Sequence, residues 1–281
     1  MGRVLAIALF ILIFLAGLSV LLYPVISDSI NSRRQEESVA QYFRAIESLT
    51  PQDFTELFEA AHEFNEGLRS RQNRFTMSDE EDRHYRSLLN PVGTGAIGTL
   101  EIDIIDVHLT IYHGTDEGVL QVGLGHLEGS SLPVGGPGTH AVISGHRGLP
   151  SSILLRNLDR MRIGDTFNIR VLGETLTYMV DNIIIVLPHE MEELAINADA
   201  DYCTLVTCTP YGINTHRLLV RGQRIENPGE ETFYRPFILS SGARVLTGPR
   251  AVLLLLIPAV ILVAVVLFIR LRRINKRGNI Q

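Results

Sequence analysis

Two uninterrupted apolar runs bracket this chain, and between them the hydrophobic pattern changes period. Residues 4–22 carry no charged side chain and are long enough to cross a bilayer as a helix. A second run, 251–269, is broken only by Pro258, which a membrane helix tolerates. Between 28 and 90, Ile46, Phe54, Leu57, Phe58, Ala61 and Phe64 recur at helical spacing, which predicts an amphipathic helix pair broken at Thr50-Pro51. From Gly93 the period shortens. Stretches 99–109, 111–112, 141–144, 166–172, 176–187, 203–207 and 215–220 read as strands, with Gly-rich links such as Gly135-Gly136-Pro137-Gly138 between them, and 151–161 reads as a short helix. Many short strands with turn signals predict an all-β barrel or sandwich.

These patterns divide the chain into a short N-terminus (1–3), a transmembrane helix (4–26), a helical region (27–92), a β domain (93–227), a connector (228–250), a second transmembrane helix (251–269) and a basic tail (270–281). The apolar core of the first run exceeds the usual length of a signal peptide, and no clean small-x-small site follows it, so a retained anchor is expected. Arg3 precedes the first run, and Arg270, Arg272, Arg273, Lys276 and Arg277 follow the second. The positive-inside rule then puts both termini in the cytoplasm and the middle of the chain outside. All 31 acidic residues and only 19 of the 25 basic ones lie between the runs, leaving that segment at −12. An acidic exterior domain argues against a nucleic-acid partner.

The chain has two cysteines, Cys203 and Cys208. Five apart on one strand, their side chains point to opposite faces, so no bridge between them is expected. Cys203 reads as a small core residue. Cys208 is then an unpaired thiol outside the cell, at the end of the β-branched run Thr204-Leu205-Val206-Thr207. Pro210, Gly212 and Asn214 predict a loop, and 215–220 an antiparallel return. Such a hairpin puts Arg217 close to Cys208, with Arg217, Leu219 and Arg221 on one face and His216, Leu218 and Val220 on the other. A cation or histidine nearby favours the reactive thiolate. A second element, Ala141-Val142-Ile143-Ser144-Gly145-His146-Arg147-Gly148, ends an apolar strand at a turn that displays a histidine on a stiff support, a good place for an acid or base. Among the nine histidines, His140 and His126 are its nearest competitors.

These segments together, with Leu124-Gly125-His126-Leu127-Glu128-Gly129-Ser130-Ser131-Leu132-Pro133, resemble the sortases, and specifically their class C, pilus-assembling branch. The likeness covers roughly residues 88–226, and two flanking membrane runs also fit that branch. It implies a mainly β fold: an eight-stranded sortase-type barrel with short helices. It implies that Cys208 attacks the Thr–Gly bond of an LPxTG-like sorting signal. His146 protonates the leaving amine and later takes a proton from the incoming one, and Arg217 steadies the oxyanion. Thr207, Thr209 and Ser144 are expected to line the substrate groove. The thioacyl-enzyme is resolved by a lysine of the next pilin subunit. Partners are pilins and surface proteins with such signals, and the lipid bilayer. No cofactor or metal is implied, and no EF-hand-type loop for calcium occurs in the sequence.

One feature departs from the branch. Pilus sortases usually carry a lid with an Asp-Pro-aromatic motif, and the N-terminal region here has none. Asn73-Arg74-Phe75 stands in its place, with Phe75 expected near Cys208 and Arg74 as the anchor. The competing readings of the chain are a sortase that anchors proteins to peptidoglycan, a non-catalytic pilus-base scaffold, and a cysteine peptidase that releases product to water.

Overall fold

The computed structural model describes residues 2–71, 73–91, 93–147 and 154–227; the connector, the second apolar run and the basic tail lie outside them. Helix α1 (Gly2–Glu47) is a single helix of 46 residues, so the chain does not break at the expected 26/27 boundary. At about 1.5 Å per residue it extends roughly 70 Å. It is the one helix among the described residues long and apolar enough to cross a membrane. Leu5, Phe10, Ile13 and Val20 are exposed there, as a lipid-facing segment requires. Its C-terminal end instead packs on protein, with Tyr42 and Ile46 against Ala96. The Tyr42 hydroxyl donates to Ile97 O (2.9 Å) and accepts from Leu172 N (3.0 Å), joining α1 to the domain that follows.

Helix α2 (Pro51–Arg69) begins where the sequence predicted a break. Thr50 and Asp53 form a reciprocal capping box and Pro51 opens the helix, satisfying free amides and fixing the first turn. Its Phe54, Leu57, Phe58 and Phe64 pack on the main core. A second capping box, Ser78 with Glu81, starts α3 (Asp79–Ser87), which the helical period did not separate from α2.

Eight strands form a closed barrel in the order β1-β2-β3-β4-β7-β8-β6-β5. They are β1 (Ala96–Ile102), β2 (Val107–His113), β3 (Leu124–His126), β4 (Thr139–Ser144), β5 (Thr166–Val171), β6 (Glu174–Val186), β7 (Asp201–Thr209) and β8 (His216–Ile225). The β2–β3 and β4–β7 pairs are parallel and the rest antiparallel. Closure removes the unpaired edges that an open sheet would expose. The interior is filled by side chains such as Leu100, Ile111, Ile143, Phe167, Tyr178, Leu205 and Val220.

Three local readings change. The expected strand 99–109 is two strands, because a 3-10 turn at Asp103–Ile105, closed by Asp106 in the left-handed region (φ 55), folds it into a hairpin. Within the expected helix at 151–161, the described part holds only a 3-10 turn, Leu158–Arg160. Strand β3 and the short helix α4 (Glu117–Val122) were not foreseen. Both are too short to show a period, and β3 exists only through its pairing with β2 and β4.

Candidate active site

Strands β7 and β8 form the expected hairpin, and Cys208 and Arg217 are direct cross-strand partners at its loop end. Leu205, Leu218 and Val220 point into the barrel, whereas Val206 and Leu219 belong to a separate apolar cluster on its outer surface. Alternation along the strands puts Cys208 and Arg217 on that outer surface too. Cys208 is half-buried and unbridged. Cys203 is fully buried, and burial pushes its thiol well above the usual range, so it is no competing nucleophile. The Arg217 Nη1 atom donates to Asn214 O (3.3 Å) and His216 O (3.2 Å), both local to the loop.

His146 arrives from the other side of β7. Strands β4 and β7 run parallel, with Ser144 beside Val206, and Gly145 N donates to Val206 O (3.0 Å). Two residues beyond that pair, the strands reach His146 and Cys208. Further contacts hold the turn in place. The Thr207 hydroxyl donates to Gly145 O (2.7 Å), and Arg147 Nη1 donates to the Thr209 hydroxyl (2.6 Å). A Cβ at residue 145 would come within 2.6 Å of Leu124 Cδ2, so glycine is what lets the turn approach β3.

These contacts correct the expectation that Thr207 and Thr209 line the groove. Thr207 is 1% exposed and faces inward, where it ties β7 to the histidine turn; Thr209 is also buried and bonded to Arg147. Ser144 remains partly exposed at the end of β4. The competing histidines also separate. His140 is 0% exposed, with Nδ1 2.9 Å from Ala195 O and Nε2 2.7 Å from the Thr204 hydroxyl. His126 is sealed between the Tyr85 hydroxyl (2.8 Å) and Ser131 O (2.8 Å). Burial pulls both down to about 4, so both are neutral core groups at physiological pH. His146 keeps 24% of its side chain exposed.

An apolar cluster lies on the outer surface beside the Cys208–Arg217 pair. Its buried centre is Val142, Leu194 and Leu219, with Val206, Ile184, Val186 and Met191 packed around them. Phe75 packs into this cluster. Its contact is one step along the strands from Cys208, since Val206 and Leu219 are the next outward-facing pair. Arg74 is buried beside it, with its guanidinium 4.4 Å from the Phe75 ring and donating to Gly129 O (3.1 Å) and to Leu194 O. Gly129 has φ +84, and a Cβ there would meet Arg74 O at 2.1 Å, so the backbone of this segment lies flat against a residue with no side chain. Asn73 closes the adjoining turn, its carbonyl accepting from Thr76 N (3.1 Å).

One nearby side chain had no signal in the sequence. Glu117, at the start of α4, places Oε1 3.5 Å from His146 Nε2. No spacing rule links residues 29 positions apart on different elements.

Comparisons with known proteins agree with this geometry. The family model "Sortase domain" matches residues 100–225. The fold is similar to that of sortase C1 from Streptococcus agalactiae, with a TM-score of 0.65 and 44% identity over 68% of this chain and 99% of that one. It is likewise similar to sortase C from Streptococcus pneumoniae, with a TM-score of 0.60 and 39% identity over 69% and 99% of the two chains. A curated relative, sortase D of Bacillus subtilis (strain 168), is 28% identical over 162 residues, covering 53% of this chain and 74% of its own. With the likeness to sortase C1 running over nearly all of that solved chain, and a thiol, an imidazole and a guanidinium carried on adjoining strand ends, this chain belongs to the sortase family, in its class C branch, and is a cysteine transpeptidase.

Proposed function

We propose that this enzyme polymerises pilin subunits by cutting an LPxTG-like sorting signal and joining the product to a lysine amine. The observation that carries the reading is the Cys208–Arg217 cross-strand pair beside an apolar surface cluster on which Phe75 packs. With Phe75 displaced, that cluster becomes a groove that suits the Leu-Pro part of such a signal, and the pair meets its Thr–Gly bond. The Cys208 thiolate attacks the threonine carbonyl carbon. Arg217 stabilises the oxyanion that forms, as a positioned cationic donor does. Collapse breaks the C–N bond, and His146 gives its proton to the departing glycine amine. The resulting thioester is attacked by a lysine amine of the next subunit, which loses a proton to His146. The C–S bond breaks, an isopeptide bond remains, and the thiolate is regenerated. In this reading α1 anchors the enzyme, the barrel stands outside the membrane, and the second apolar run returns the chain so that both termini are cytoplasmic.

The test is to mix the full-length enzyme, in detergent, with pilin subunits bearing an LPxTG-type tail and to look for covalent ladders on a denaturing gel. Ladders that vanish with Cys208→Ala are expected. Cleavage without ladders would instead assign the acyl group to a wall amine or to water, and neither product would favour a scaffold.

The same reading makes the Arg74–Phe75 segment a lid, since its ring fills the groove the signal needs. Full burial of a phenylalanine stabilises by about 1.5–3 kcal/mol, and the partly buried Phe75 sits near the lower end, a factor of roughly 10 in the closed-to-open ratio. Phe75→Ala is therefore expected to speed alkylation of Cys208 by a small thiol reagent by about tenfold, and removal of residues 72–78 by at least as much. An unchanged alkylation rate in both would overturn the lid.

A further inference from the structure

The geometry points to Glu117 as the positioning residue that holds the His146 ring aimed, an inference that rests on the role proposed for His146 above. The Nε2 atom of His146 is shut off from solvent and has no hydrogen-bond partner among the described residues. A buried imidazole nitrogen left this way is costly. The group that stands opposite it is a carboxylate oxygen, Glu117 Oε1, at 3.5 Å. That same oxygen accepts from Gln121 Nε2 (3.1 Å), one turn along α4, which fixes the rotamer that faces the histidine.

The other charges around the turn are already engaged. Asp116, beside Glu117, is met by Arg86 Nη2 (3.3 Å), which also reaches Glu128 (3.4 Å). Arg147, beside His146, is held by Asp159 and the Thr209 hydroxyl. Cys208 and Arg217 face the turn from the β7–β8 hairpin. Glu117 is thus the carboxylate left for the imidazole. A carboxylate on one ring nitrogen fixes the proton there and sets the other nitrogen to exchange protons. With Nε2–H directed at Glu117, it is Nδ1 that gives its proton to the leaving amine. Because Glu117 is 67% exposed, solvent screens the pair and the effect is modest.

The experiment compares wild type, Glu117→Gln and Glu117→Asp in the full-length enzyme. It has two readouts: kcat and KM for signal-peptide cleavage, and the NMR shifts of the His146 ring nitrogens at one fixed pH, assigned with His146→Gln. For Glu117→Gln, kcat is expected to fall about three- to tenfold with KM unchanged. The Nε2 and Nδ1 shifts should both change, because the proton on Nε2 loses its acceptor. Glu117→Asp should recover part of each. Ring-nitrogen shifts identical in wild type and Glu117→Gln would overturn the pairing, and changed shifts with unchanged kcat would overturn its catalytic use. The NMR readout does not depend on turnover, so it still decides the pairing if the peptide is not cleaved and the functional reading itself fails.

Discussion

Cys208→Ala is expected to abolish both cleavage and joining, and Arg217→Gln to lower kcat/KM by about 10²–10³-fold. The first removes the only nucleophile at the strand end, since Cys203 is sealed in the core with its thiol held protonated. The second removes a donor whose benefit appears only as negative charge develops on the carbonyl oxygen, an effect of about 2.7–4 kcal/mol for one such donor. Stability should change little in either case. The hydrogen bonds from Arg217 reach only Asn214 O and His216 O in its own loop. The measurements are kcat/KM with a signal peptide and mass spectrometry of the trapped thioester. Arg217→Gln with wild-type kcat/KM would mean that the oxyanion is held by something else.

The domain is expected to lose much of its stability between about pH 6.5 and pH 4. His113, His126 and His140 are each pulled down to about 4, chiefly by burial. In the unfolded chain they titrate near 6.5, so across this window the unfolded state binds more protons and acid favours unfolding. Each histidine contributes up to about 3 kcal/mol at the acid end, against a typical margin of 5–15 kcal/mol. Asp201 opposes them: burial raises its carboxyl, so the fold takes up this proton at higher pH than the unfolded chain does and gains stability on acidification. Three groups against one leave a net loss. Melting temperature followed by circular dichroism from pH 7 to pH 4.5 should fall steadily, and a flat profile would show that these rings accept protons within the fold. Such a loss would also truncate the acid side of any activity profile, so rates there need to be read beside the melting curve.

Much of the site was legible in the sequence because its parts are local. The run ending in Cys208, the loop residues Pro210, Gly212 and Asn214, and the return strand dictate a hairpin, and a hairpin of that length makes Cys208 and Arg217 partners. Thr50-Pro51 marked a helix start by chemistry confined to four residues. The apolar run 4–22 predicted a helix by composition alone, and most of its side chains are exposed among the described residues.

What the sequence left open depended on pairing at a distance. Three histidines lay on promising segments, and only burial separates them: His126 and His140 are enclosed by Tyr85, Ser131, Ala195 and Thr204, residues up to 64 positions away, while His146 opens to the groove. Thr207 looked like a groove residue from its place beside Cys208, but strand alternation turns it inward to Gly145. Glu117 reaches the site from an element whose own pattern carries no trace of it, and Phe75 was expected near Cys208 only through the family resemblance, not from any period of its own segment. Local periodicity therefore determined most of the strands, the apolar N-terminal helix and the pairing of Cys208 with Arg217. Only closure of the barrel, which sets β4 parallel to β7, decided which histidines are enclosed and what packs on the apolar cluster, because those outcomes depend on solvent exclusion by residues distant in the chain.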